Sequence, residues 1–167
     1  MKRILASGVL CLVLGCGTSY SWRSSVPEDM RTVAVPTFRN ESDVVELGAI
    51  ASRQILREFQ REGTFKVQMT GDAALEIQGV IKSAKPASAG YDRRSGLRMA
   101  SYDFIATAEV SVIDKRKGKV LIDNRRYRAQ TGFTAGQDRA TAMRDASGRL
   151  ADDLSRQVVD DVLNLKW

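Results

Sequence analysis

Two thiols, Cys11 and Cys16, are the obvious nucleophiles of a 167-residue chain that contains no His. Without imidazole, neither a Ser-His-Asp nor a Cys-His arrangement can be assembled. The commonest general base and zinc ligand is missing as well. No Gly-rich phosphate loop follows a strand. The pairs Asp152-Asp153 and Asp160-Asp161 fall on a helical stretch, where adjacent side chains point in different directions, and they are read as a solvated face. A Ser-Lys or paired-carboxylate site stays open, but no residue is singled out for one. The reading is therefore a protein that is not an enzyme, with no catalytic residues, no metal ligands and no cofactor. What remains is modification of one thiol and recognition by charge.

The thiol is positioned by the residues before it. Lys2-Arg3 precedes an apolar run over 4–14, followed by Gly15-Cys16-Gly17. About a dozen apolar residues are too few to span a hydrocarbon core, which takes roughly 20. A short basic start and a short apolar run fit a secretory signal. Val13-Leu14-Gly15-Cys16 resembles the bacterial lipobox, with Val for the commoner Leu and Leu for the commoner Ala or Ser. That resemblance implies a diacylglycerol on the Cys16 thiol, cleavage before Cys16 and acylation of the new amino group. Two or more acyl chains anchor stably where one is marginal. Residues 1–15 are read as the signal, 16–28 as a lipidated tether and 29–167 as a single domain. In the tether, Tyr20 and Trp22 fit either the membrane surface or the edge of the domain.

Removing 1–15 leaves 152 residues, enough for one core, and takes Cys11 with it. The domain then has no disulfide. Net charge falls from +6 to +4 with the loss of Lys2 and Arg3.

Periodicity supplies the elements. A β-branched strand is expected over 31–38, with Pro36 marking an edge or an end. Asp43 and Glu46 have capping-box spacing ahead of a helix over 44–62 that Gly63 stops. Leu47, Ala51, Ile55 and Phe59 form its apolar stripe, and Arg53, Arg57 and Arg61 a basic row. Strands follow over 65–69, 73–83, 100–114 and 120–131, with a turn over 70–72, a long basic loop or hairpin end over 85–98 and a charged turn at Lys115-Arg116-Lys117-Gly118-Lys119. Met143, Ala146, Leu150, Leu154, Val158 and Val162 mark a last helix over 138–165. The fold class is α+β: two helices packed on one face of a mostly antiparallel four- or five-stranded sheet.

Charge is uneven. From Lys82 to Arg128 there are 12 Lys and Arg against five acids, a surplus of +7; from Asp138 onward the balance is −1. A basic surface attracts phosphates, although basic residues also keep strand edges soluble. An exported lipoprotein meets anionic lipid rather than nucleic acid, so no nucleic-acid partner is expected.

Three segments carry a family resemblance. They are Val26-Pro27 soon after Cys16-Gly17; Thr32-Val33-Ala34-Val35-Pro36-Thr37-Phe38-Arg39-Asn40; and Ala74-Leu75-Glu76-Ile77-Gln78-Gly79-Val80-Ile81. With the helix holding Glu58-Phe59 between them and a terminal helix after, the chain resembles the LPS-assembly lipoprotein family LptE. The resemblance implies anchoring on the periplasmic face of the outer membrane, through acyl chains in its inner leaflet. It implies residence inside the LptD β-barrel as a plug, and help in folding that barrel and delivering lipopolysaccharide. Gly17, not Asp, after the lipidated Cys fits sorting to the outer membrane. Arg93, Arg94, Arg98, Lys115 and Lys117 become the candidates for contact with lipopolysaccharide phosphates or the barrel wall. Charge-assisted bonds from Arg to phosphate are the physical basis. The alternative is a lipid-anchored periplasmic enzyme or an envelope-maintenance binding module on the same scaffold.

Overall fold

The structure is a computed structural model and describes residues 26–68, 72–91, 100–135 and 138–167. A one-turn 3₁₀ helix (Glu28–Met30) leads into β1 (Thr32–Ala34), β2 (Arg39–Asn40), α1 (Leu47–Glu62), β3 (Lys66–Val67), β4 (Leu75–Tyr91), β5 (Ala100–Asp114), β6 (Lys119–Ala135) and α2 (Arg139–Leu163). The expected α+β class is what the fold shows. The strand expected over 31–38 ends at Ala34, ahead of Pro36, which has no N–H for a ladder, and the strand count rises to six because Arg39–Asn40 just beyond it forms β2; β1 and β2 pair with β4 separately, at Leu75–Glu76 and at Val80–Ile81.

The sheet runs β3-β1-β4-β5-β6, with β2 beside β4. The long strands β4, β5 and β6 are antiparallel; β1, β2 and β3 pair parallel. A strand-helix-strand path returns the chain in its original direction, which is how α1 sets β3 parallel to β1. β4 outruns its expected end at Ser83 and pairs with β5 as far as Tyr91, through much of the expected loop. Pro86 sits within it without breaking the ladder. Past Ile81 no strand among the described residues flanks β4 on the side away from β5, and Pro is tolerated on such an edge.

Both helices cover one face. Leu75, Ile77 and Ile81 of β4, Phe104, Ala106, Ala108, Val110 and Val112 of β5, and Ile122, Tyr127, Ala129 and Phe133 of β6 are buried beneath them. Leu47, Ala51, Ile55 and Phe59 from α1 meet Ala146, Leu150, Leu154, Val158 and Val162 from α2 in the same core. Val26, in the stretch read as tether, is buried there too. The side chains of α2 also reach round to the backbone of β6: Gln157 Nε2 donates to the carbonyl of Arg128 at 3.1 Å, and an Arg149 guanidinium nitrogen donates to that of Gly132 at 3.1 Å.

The start of α1 differs from the capping-box expectation. The helix begins at Leu47, and Glu46 precedes it in the left-handed region at φ 68° with no side-chain cap. Asn40 organises the turn instead. Its Nδ2 donates to the Val44 carbonyl at 2.8 Å, and its Oδ1 accepts from the Ser42 N–H at 3.0 Å. Gly63 closes the helix at φ 86°, as expected from sequence. Asp138 caps α2 by accepting from the Thr141 N–H at 3.0 Å. This bond, first through the side chain, holds the Asp138 carboxyl below its usual range.

The sequence segments that carried the family resemblance meet at Phe38. Its ring lies on Gly79 of β4, and its carbonyl lies against Gly48 of α1. Its N–H, which no strand claims, donates to Ser52 Oγ at 2.7 Å, and that hydroxyl donates to the Gly48 carbonyl at 2.9 Å. Ser52→Ala leaves a buried N–H without an acceptor, a cost of about 1–3 kcal/mol. Thermal unfolding should therefore show a lower midpoint for Ser52→Ala than for an alanine at exposed Arg53; equal midpoints would contradict this account.

Candidate interaction surface

The face of the sheet that the helices leave open is polar and internally paired. Glu109 on β5 accepts from Arg126 on β6 at 2.9 Å. Glu76 on β4 accepts from Gln78 and from Lys115 Nζ, the latter at 2.9 Å. Those two donors, Gln78 first, lower the Glu76 carboxyl below its usual value. Glu41 takes Lys82 and Arg39, which likewise lower it, Lys82 more. Exposed pairs of this kind add little stability, typically less than about 1 kcal/mol each. Their effect is to fix a pattern of alternating charge. The exposed large apolar residues among those described are Val45 and Val120. No described helix is long and apolar enough to cross a membrane.

The candidate residues from sequence divide between two ends. Arg93, Arg94 and Arg98 lie outside the described residues, between Tyr91 of β4 and Ala100 of β5. Lys115 and Lys117 lie at the other end of β5, in the turn to β6. Fifteen residues of β5 at about 3.4 Å each make these ends roughly 45–50 Å apart. Hence the basic surplus counted along the sequence is not one patch. At the described end, the buried Asp114 carboxylate accepts from the N–H groups of Arg116 at 2.9 Å and Lys117 at 3.1 Å. Gly118, at φ 60°, completes the turn, as its position in the sequence predicts. Lys115 is occupied by Glu76 and Arg116 by Asp29 at 3.3 Å. Lys117 and Lys119 are exposed, and no ion pair engages them among the described residues. Cys16, Tyr20 and Trp22 lie outside the described residues.

A cluster between β6 and α2 has no counterpart in the sequence reading. Asp161, expected on a solvated face, accepts from Tyr127 Oη at 2.8 Å and from Arg125 at 3.1 Å, and the Arg125 guanidinium stands 5.9 Å over the Tyr127 ring. Asp152 is similarly engaged, by Gln54 of α1 at 3.0 Å and by Arg156. Alternation along β6 carried a signal for the first cluster: Tyr127 is buried while its neighbours Arg126 and Arg128 are exposed. Burial first, and then the Asp161 carboxylate, push the Tyr127 phenol above its ordinary value. A phenol that binds its proton more tightly in the folded state adds stability that is intact below the unfolded pKa near 10 and fades above it. Tyr127→Phe should cost about 1 kcal/mol at neutral pH through the lost hydrogen bond. It should also remove one high-pH phenolate step from a spectrophotometric alkaline titration; an unchanged titration would refute the assignment.

Among the described residues no group of three or more acids or thiols is placed to hold a metal. A family model described as "LptE: Lipopolysaccharide-assembly" matches residues 30–162. Among solved structures, protein XCC0632 from Xanthomonas campestris superposes with a TM-score of 0.53 at 9% identity, over 80% of this chain and 83% of that one. A neuraminyllactose-binding hemagglutinin homolog from Helicobacter pylori superposes with a TM-score of 0.51 at 10% identity, over 83% and 86%. At such identities the likeness is one of fold. No curated protein matches in sequence. The family match includes β1 with Phe38, α1, the strand holding Gly79 and nearly all of α2, and on that extent the chain belongs to the LptE family of lipopolysaccharide assembly.

Proposed function

We propose that this chain is an outer-membrane lipoprotein, acylated on Cys16, that plugs an LptD-like β-barrel, assists its folding and helps deliver lipopolysaccharide to the outer leaflet. The observation that carries the reading is the family match over 30–162. The open sheet face supports the plug role physically. The lumen of a large outer-membrane barrel is polar, and a face ruled by Glu76–Lys115 and Glu109–Arg126 pairs presents matching chemistry. Arg93, Arg94, Arg98 and Lys115 are assigned to lipopolysaccharide phosphates or acidic wall residues.

The test is a pull-down of the tagged chain from detergent-solubilised outer membrane, with mass spectrometry of its N-terminus and its partners. The expected result is an acylated Cys16 and a co-purifying large barrel. An intact Met1 sinks the anchor, and an acylated Cys16 without a barrel sinks the plug.

A further inference from the structure

We propose that the end of the domain where the chain leaves Val26 docks on anionic phospholipid headgroups, through Lys117, Lys119 and Lys166 around a groove of mixed polarity that Trp167 lines. The proposal rests on the Cys16 anchor for its setting, and its own chemistry is independent of the barrel. The 3₁₀ helix at Glu28–Met30 is tied to the β5–β6 turn by the Asp29–Arg116 pair, so the first described residues and the basic turn share one end of the domain. From Cys16 to Val26 is ten residues, a reach of at most roughly 35 Å. A lipid on Cys16 therefore keeps this end, and not the far end of the β4–β5 ladder, beside the bilayer.

The end is suited to that position. Glu76 and Asp29 neutralise Lys115 and Arg116, and Asp114 is turned inward to the backbone, which leaves Lys117 and Lys119 with uncompensated charge. Beside them Lys119, Val120, Leu121, Leu165, Lys166 and Trp167 line a groove of about 410 Å³. One of the two exposed large apolar residues, Val120, is on its rim. Trp167 is held against Phe65, with ring centroids 6.1 Å apart. Lysines set beside Val120, Leu121 and Leu165 match the interfacial zone of a bilayer, where lysine stems lie on apolar surface with their ammonium groups in the headgroups. Each Lys near an anionic leaflet adds about five-fold in partitioning, so three give on the order of 100-fold, lost at high salt.

The test uses the full chain, expressed in a Gram-negative host, purified in detergent and reconstituted into vesicles of phosphatidylcholine, alone or mixed with phosphatidylglycerol. A Trp22→Phe background leaves Trp167 as the single tryptophan. A headgroup spin-labelled lipid quenches it according to distance. The expected result is stronger quenching in the anionic mixture. Lys117→Glu/Lys119→Glu/Lys166→Glu should abolish the difference, and the milder Lys117→Gln/Lys119→Gln should reduce it if the triple variant unfolds. Equal quenching in both compositions, or a difference that survives these substitutions, overturns the proposal. Failure of the anchor reads separately: a chain that binds anionic vesicles but does not float with neutral ones docks without acylation.

Discussion

Gly79→Ala should unfold or nearly unfold this domain at temperatures the parent tolerates. A Cβ at residue 79 would stand 2.2–2.5 Å from three atoms of the Phe38 ring, well inside any tolerable separation. The ring has nowhere to retreat, because Phe38 is 4% exposed and its own backbone is pinned by Ser52 and by Gly48. Overpacking of a closed core costs typically 1–3 kcal/mol and sometimes more; a clash with a held ring belongs at roughly 3 kcal/mol or above. For a domain of this size that is about 10 °C in Tm. Gly48→Ala makes a sharper test, since Gly48 is the second residue of α1 and alanine in a helix ordinarily gains up to about 1 kcal/mol over glycine. Here the new methyl would meet the Phe38 carbonyl oxygen at 2.4 Å, and backbone cannot rotate away as a side chain does. Both substitutions should lower the melting temperature, whereas Gly148→Ala in α2, with no atom within 4 Å of the added Cβ, should leave it unchanged or raise it. A Gly48→Ala protein as stable as the parent would show that the β2–α1 junction is looser than described.

Cys16→Ser should move the protein out of the membrane fraction. Serine keeps size and polarity but offers no thioether, so on the lipoprotein reading neither the diacylglycerol nor the later N-acyl chain is added. One acyl chain gives a partition constant of about 10⁴ M⁻¹ and two or more give stable anchoring. Losing them all should therefore turn stable anchoring into little or no membrane association. Flotation of washed membranes, with the melting temperature of the released domain as a control for folding, reads this directly. A Cys16→Ser protein that still floats would assign membrane association to the apolar run over 4–14, and acylation would have no part in it.

What the sequence made legible is what is written in local periodicity. β5 falls on the expected residues, with Phe104 through Val112 turned to the core, because strict alternation leaves one register that buries them. α2 is legible for the same reason at a period near four. The places where the reading departs from the structure depend on tertiary partners. The end of β4 is fixed by its pairing with β5 rather than by its own composition, so a Pro and three small residues, Ser83, Ala84 and Ala87, disguised a strand as a loop. The Asp43–Glu46 spacing looks like a cap, but no side chain caps α1, and Asn40, held beside β4, organises the turn before it. Parallel pairing of β1 and β3 was available in principle from the strand-helix-strand order. Of the surface, the turn at 115–119 could be read as a turn, but its distance from Arg93, Arg94 and Arg98 could not, because sequence separation says nothing about which end of a sheet a residue occupies.

The two bonds from α2 to the carbonyls of Arg128 and Gly132 bear on how this chain behaves before it has a partner. β6 is the last strand of the sheet, seventeen residues long, and carries no Pro. Its outer backbone is a template on which a second molecule could add a strand, and long unpaired edges invite that kind of association. With Gln157 and Arg149 seated on alternate acceptors, with Asn124 twisting the strand at φ 41° and with Arg125, Arg126 and Arg128 crowding its middle, the template is interrupted along much of its length. The side chains of α2 thus occupy two of the backbone acceptors through which a second molecule would have to add its strand.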